Sequence, residues 1–212
     1  MTKLSAKLVS LTQPVIPLKN ESPEGIIAYC ARVSNPEFQD QDNMKLLDYC
    51  KRNKHWSIFE MADATLEIEA PRDITRQLLR HNSFKFQEFS QRYSDKIAST
   101  IRQFRRQHET DRQSSIDDLS SDEYNRAEVH SYLAASAGFT AYERMLELGV
   151  AKECARVVLP EGLTMSRLYM KGSLRSWIHY LDVREGNGTQ KEHTDLANMI
   201  REELKGVFPN CL

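Results

Sequence analysis

The chain has 212 residues, 40% of them hydrophobic and 28% charged, and its 29 basic and 30 acidic side chains leave a formal net charge of -1. That length and balance fit one folded domain, and a near-neutral charge excludes a general electrostatic draw onto nucleic acid or acidic membrane. No apolar run is long enough to span a bilayer, and Met1-Thr2-Lys3-Leu4-Ser5-Ala6-Lys7 lacks the apolar segment of a signal peptide, so a cytosolic protein is expected.

Lys7-Leu8-Val9-Ser10-Leu11 reads as a first strand ended near Pro14. Ser22-Pro23-Glu24 opens a helix with a cap, a proline in the first turn and an acid at the positive end of the dipole; Ile26, Ile27, Cys30 and Val33 form its apolar face. Asp42 is expected to start a second helix with Met44, Leu47 and Cys50 on one side, and residues 55–60 form a connector. Ala64-Thr65-Leu66-Glu67-Ile68-Glu69 alternates at period two, as a half-buried strand does. Pro71 begins a helix running to about His81, with Arg72, Arg76 and Arg80 on one face.

An extended piece follows, with Phe84, Phe86, Glu88, Ser90 and Arg92 pointing one way and Gln87, Phe89, Gln91 and Tyr93 the other. Residues 102–122 turn basic, then acidic, then serine-rich, which predicts a solvated loop or lid. Asp122 is expected to cap a long amphipathic helix ended by Gly149. A short helix (152–159), a strand (164–171) and two helices (173–183 and 194–207) complete the chain, with Gly186-Asn187-Gly188 separating the last two. This order favours an α+β fold: a mixed sheet packed with several helices, one of them long, in a single domain 1–212 with an excursion at 102–122.

The four cysteines (Cys30, Cys50, Cys154, Cys211) form no CxxC pair, so zinc and thioredoxin-like chemistry have no support. Cys30, Cys50 and Cys154 read as small buried hydrophobes, and Cys211 as incidental.

The stretch from Arg80 to Tyr93 is neither a clean surface nor a clean core. It mixes arginine, histidine, glutamate, serine and glutamine with three phenylalanines and a tyrosine. Such interleaving suits a pocket for a planar anion. Arg80, Arg92, Arg156, Arg175 and Arg184 fall where elements begin or end, and the guanidinium fork is well matched to phosphate, although each is also explained by a surface ion pair. Glu88 and Ser90 share a face with Arg92, which could neutralise Glu88 or leave both to hold a sugar or base edge. His81 near a helix C-terminus suits a cationic cap. Ser90 has no histidine–acid pair at hydrolase spacing. No metal-binding histidine spacing, GxGxxG or GxxxxGK[ST] occurs, so neither a metal site nor a Rossmann or P-loop cradle is expected.

Arg80-His81-Asn82, seven residues and then Ser90 resembles the RHR-x7-S signature of the flavin-dependent thymidylate synthases. The resemblance extends over nearly the whole chain, through Ala31-Arg32-Val33-Ser34, the connector at 55–60, Glu88-Phe89-Ser90-Gln91-Arg92-Tyr93, Ala155-Arg156-Val157-Val158-Leu159-Pro160 and Ser173-Leu174-Arg175-Ser176-Trp177-Ile178-His179-Tyr180 leading to Arg184. It implies reductive methylation of dUMP to dTMP, with methylenetetrahydrofolate as carbon donor, FAD as hydride carrier and NADPH as reductant, in a homotetramer with shared active sites. It places dUMP on Gln77, Arg80, Glu88, Ser90, Gln91, Arg92, Arg156 and Arg184, and FAD on Ser57, Arg80, His81, Asn82, Glu88, Ser173, Arg175 and His179. Arg184 and Ser90 form the implied catalytic set. Asn82 stands where the signature has arginine, Ser173 and His179 where many relatives have asparagine, and Gly188 where histidine is common. A relative that binds dUMP without methylating it is the alternative.

Overall fold

The computed structural model describes residues 4–41, 44–186 and 188–212. The period-two run becomes β2 (Asp63–Pro71), whose side chains alternate between half-buried and buried until Ala70 and Pro71, which are both buried. It pairs with β1 (Ser5–Leu11) on one side and β6 (Met165–Ser173) on the other, and β3 (Lys85–Glu88) joins the far edge of β6, giving the order β1-β2-β6-β3. Leu8, Leu66, Met170 and Phe86 lie in one register row across the four strands. The α+β class is as expected, but every pairing in this sheet is antiparallel rather than mixed. β2 and β3 run the same way and are kept apart by β6 between them.

Helices cover the buried face of the sheet. Ser22 caps α1 (Pro23–Ala31) through its side chain, which accepts from the Gly25 N–H. Val33 lies beyond that helix and is exposed, because Arg32 already ends it. α2 (Met44–Arg52) buries Leu47 and Cys50; the Asp42 start lies outside the described residues, as does Asn187. The connector is a 3-10 helix, Trp56–Glu60. α6 (Leu174–Arg184) is capped by Ser173 and buries Trp177, Tyr180 and Leu181. α7 (Lys191–Lys205) begins three residues before the expected start and buries His193, Leu196, Ala197, Ile200 and Leu204.

Two close approaches position the candidate residues. α3 (Arg72–Leu78) ends early, and the chain turns through residues 79–84 into β3. Phe84 pins that turn: its ring meets Trp177 edge-on at 4.6 Å, and a Cβ on Gly172 would sit 2.5 Å from it, so only glycine leaves room. Gly138, in α4 (Ser121–Glu147), plays the same part for the turn carrying Arg156, since a Cβ there would lie 2.8 Å from the Val158 carbonyl oxygen.

The cap of α4 is Ser120, not Asp122. Ser120 and Glu123 form a reciprocal capping box, which uses the serine two residues upstream of the expected acid. Tyr142 is buried on this helix, while Val129, Tyr132 and Leu133 are exposed. The excursion at 102–122 is not simply a solvated loop. It carries a short hairpin of β4 (Arg106–Gln107) and β5 (Ser115–Ile116), and its Arg102 and Arg105 side chains are only 12% and 9% exposed. They are drawn inward by half-buried Asp73 and by Glu192, a buried carboxylate that needs a cation beside it. Cys50 is buried as expected and Cys30 is half-buried, but Cys154 is exposed and Cys211 is buried. Cys211 is held there because its backbone N–H, with two groups of Asn210, donates to the Glu24 carboxylate.

Candidate active site

Three seams hold the candidate residues. The first lies where the turn after α3 meets the end of α6 and the start of α7. Arg184 closes α6, and its Nε–H donates to Nε2 of His81 at 3.0 Å. Tyr180, one turn back along α6, packs edge-on to the same imidazole at 5.0 Å. Burial, then the charges of Arg184 and Arg80, push the His81 pKa down to about 4. His81 is therefore a neutral acceptor near pH 7, not the cationic helix cap expected from its position. Arg80 lies past the end of α3 and is exposed, so it shares no helix face with Arg72 and Arg76. Asn82 is exposed in the same turn. Gln77 is bonded on both sides: its Oε1 lies 3.1 Å from Nδ1 of His193, and its Nε2 donates to Gln190 Oε1 at 2.8 Å.

The second seam lies between β3, α3 and the turn after α5 (Lys152–Ala155). Glu88 accepts from Ser166 Oγ at 2.9 Å and Arg76 Nη1 at 3.2 Å, with Thr75 Oγ1 at 3.4 Å and Arg72 Nη1 at 3.6 Å. Its cation is thus Arg76, backed by Arg72. Arg92 instead bonds Glu153 at 3.2 Å and is 65% exposed. The expected Glu88–Arg92 pair fails because β3 stops at Glu88 and the backbone turns at Ser90, whose carbonyl accepts from the N–H groups of Tyr93 and Ser94. Alternation past that point therefore has no register to follow. Ser90 is exposed, and its hydroxyl accepts from the Arg92 N–H at 3.3 Å. Gln91 is buried, and its Nε2 finds no hydrogen-bond partner among the described residues. Arg156 is half-buried and close enough to Arg72 to lower that side chain's pKa, though less than burial and Arg76 do.

The third seam is the corner between the N-terminal half of α6 and the 3-10 helix Trp56–Glu60. Arg175 bonds Glu60 at 3.1 Å, and the His179 ring lies 4.7 Å from Trp56. Ser57 is exposed beside them. Ser173 is buried, and its hydroxyl accepts from the Ser176 N–H while lying 3.3 Å from the Ser176 hydroxyl.

Gln77, His81 and Arg184 therefore come together, as do Ser57, Arg175 and His179, and Glu88 lies on a separate seam from both. Two cavities of about 1220 and 710 Å3 are lined by other residues, around the hairpin, α4 and α7. Sequence reasoning missed Arg72, Arg76, Tyr180, Glu192 and His193. A signal for His193 exists: it falls on the apolar stripe formed by Leu196, Ala197, Ile200 and Leu204, where a histidine must be neutral or paired. Among the described residues, no cluster of histidine, cysteine and carboxylates is arranged to hold a metal.

The described residues thus form an antiparallel α+β fold with arginines and hydrogen-bonding side chains ranged along three seams. A family model described as thymidylate synthase complementing protein matches residues 17–210. A flavin-dependent thymidylate synthase of Synechocystis sp. is 48% identical over 210 residues, covering 97% of this chain and 96% of that protein. A probable flavin-dependent thymidylate synthase of Paramecium bursaria Chlorella virus 1 is 46% identical over 210 residues, covering 98% and 96%. The solved structure of a UMP/dUMP methylase, PolB from Streptomyces cacaoi, bound with 5-Br UMP, superposes with a TM-score of 0.82 at 24% identity, covering all of this chain and 92% of that one, and confirms the fold. The chain belongs to the flavin-dependent thymidylate synthase family.

Proposed function

We infer that this protein is a flavin-dependent thymidylate synthase, converting dUMP to dTMP with methylenetetrahydrofolate as carbon donor and NADPH as reductant. The observation that carries this reading is the 3.0 Å bond joining His81, of the signature, to Arg184, in a chain matched along nearly its whole length by family members.

FAD fits the residues present. The corner of Ser57, Arg175 and His179 offers an aromatic surface and a forked donor, and His81 and Asn82, in the turn after α3, add to the set where His81 meets the end of α6. A flavin held by these residues would supply hydride for completing the methyl group. Gln77, Arg80, Glu88, Ser90, Gln91, Arg92 and Arg156 hold dUMP, with the arginine forks on its phosphate and the unpartnered amide of Gln91 as a ready donor. These groups lie on separate seams of one chain, which supports a homotetramer in which neighbouring protomers complete each site.

Arg184 acts on the uracil ring. C5 of uracil is a weak nucleophile, and a cation beside N3 and O2 stabilises the imidate-like anion whose charge appears at C5. A fixed donor aimed at developing charge contributes on the order of a few kcal/mol. The bond to neutral His81 holds the guanidinium in place without neutralising it. Thiolate activation has little support: burial raises the Cys50 thiol, and burial with the Glu24 charge raises Cys211. No helix among the described residues is long and apolar enough to cross a membrane, and a cytosolic location is part of the proposal.

The test is the absorbance of purified protein with and without NADPH and dUMP, followed by a complete assay for labelled dTMP. A flavin band bleached by NADPH and dTMP formation are expected. Protein that takes up no FAD, or that binds dUMP and makes no dTMP, contradicts the proposal.

A further inference from the structure

A chain of hydrogen bonds, buried at its Tyr180–His193 end and partly buried beyond it, runs from α6 through α3 to α7 and the hairpin loop. Tyr180 OH lies 3.1 Å from His193 Nε2, His193 Nδ1 lies 3.1 Å from Gln77 Oε1, Gln77 Nε2 donates to Gln190 Oε1 at 2.8 Å, and Gln190 Nε2 donates to Glu192 Oε2 at 3.0 Å. Arg105 closes the chain on Glu192 Oε1 at 2.8 Å, with Arg102 at 3.6 Å from Oε2.

The direction of this chain is set at one end. An ionised carboxylate only accepts, so the neighbouring Gln190 must turn its NH2 toward Glu192 and its carbonyl toward Gln77. Gln77 must then offer NH2 to Gln190 and its carbonyl to His193. Flipping either amide would face oxygen against oxygen or NH2 against NH2. The charge state at both ends agrees. Burial would raise the Glu192 pKa, but the hydrogen bonds from Arg105, its own backbone and Gln190, with the charge of Arg102, outweigh it and hold the carboxyl low. Burial, then Arg184 and His81, push His193 down to about 3, so it carries one proton. Burial raises the Tyr180 hydroxyl, which keeps its proton and donates to Nε2, leaving Nδ1–H for Gln77.

We infer that Gln190 and Glu192, clamped by Arg105, are positioning residues: they fix the amide of Gln77 in one sense and so fix where it presents a donor and where an acceptor to the nucleotide. This rests on Gln77 contacting dUMP. The hairpin loop thereby acquires a role in substrate binding through Arg105, without reaching the ligand.

The test is a double-mutant cycle on the flavin-loaded enzyme, reading the dUMP dissociation constant by calorimetry and KM and kcat by turnover. Gln190→Met cannot relay the bond, and Glu192→Gln can donate as well as accept, so it no longer dictates direction. Each is expected to weaken dUMP binding about fivefold or more, the effect of one hydrogen bond, with bound flavin unchanged and KM moved more than kcat. In a Gln77→Ala background the same substitutions should have no further effect on dUMP binding. Equal effects in both backgrounds, or unchanged dUMP binding in a folded single variant, overturn the inference. If Glu192→Gln fails to fold because Arg105 is left unpaired, Gln190→Met, at a half-buried position, decides alone. Wild-type protein that does not bind dUMP refutes the functional reading itself, which is a different outcome from additive effects in a binding-competent enzyme.

Discussion

Arg184 and His81, separated by 103 positions in sequence, meet through a 3.0 Å hydrogen bond in which a guanidinium donates to a neutral imidazole. The bond ties the end of α6 to the turn that opens the signature segment, so the residue proposed at the uracil ring and the residue proposed at the flavin move as one unit.

Arg184→Ala should retain bound FAD and lose at least two orders of magnitude in turnover, the usual scale for removing a donor aimed at developing charge. Arg184→Lys keeps the charge but loses the fork and the Nε–H on His81, so it should recover only part of the rate. Single-turnover dTMP formation beside flavin content checks both. Wild-type turnover in Arg184→Ala refutes the assigned role.

His81 and the neighbouring His193 have a pH signature. Burial, then the charge of Arg184, push His81 down to about 4 and His193 down to about 3 in the folded protein, against about 6.5 unfolded. Between those values the unfolded chain binds more protons, so stability rises with pH through the window and is lost as pH falls from about 6.5 toward 4 for His81 and toward 3 for His193. Melting temperature should fall between pH 7 and pH 5, and the two imidazole resonances should not titrate between pH 5 and 8. A histidine at either position titrating near 6.5 contradicts the neutral assignment.

Glu24 is expected to govern stability and not catalysis. It is 2% exposed and accepts from the backbone N–H groups of Asn210 and Cys211 and from the Asn210 amide. Glu24→Ala strands those donors and should cost about 2–4 kcal/mol in chemical denaturation. Glu24→Gln, which keeps an acceptor, should cost less. An unchanged midpoint for the alanine variant would show that the C-terminal clasp contributes nothing.

Cysteine substitutions should spare the chemistry. Cys154→Ser lies on the surface and should be neutral in stability and rate. Cys30→Ala, Cys50→Ala and Cys211→Ala should retain dTMP formation, with stability reduced at the two buried sites, 50 and 211. Loss of turnover in a folded variant would restore a thiolate route.

Local chemistry made much of this fold legible. The Ser22-Pro23-Glu24 start, the Ala64–Glu69 alternation and the Ser173 start of α6 each depend on neighbours within a few residues, and each appears where expected. Ion-pair partners did not follow from sequence spacing. Glu88 and Arg92 share a face only if the strand continues, yet contact with β6 ends at the Phe89 N–H bond to Arg167 and the backbone turns at Ser90. Arg102 and Arg105 read as solvated because their acidic partners, half-buried Asp73 and buried Glu192, lie far away in the sequence. The positions of the signature residues were legible as a motif. Their division among three seams was not, because it depends on Phe84 seating against Gly172 and Trp177.

Mixing two inactive variants tests most directly whether these seams from neighbouring protomers build one site. Arg92→Ala and Arg184→Ala proteins, each inactive alone, are co-refolded so that mixed oligomers form, and dTMP production is measured. Because each mixed oligomer contains some sites with both arginines intact, turnover should return well above that of either variant. If mixed oligomers form and remain as inactive as their parents, the shared site does not exist and both arginines must act within a single chain.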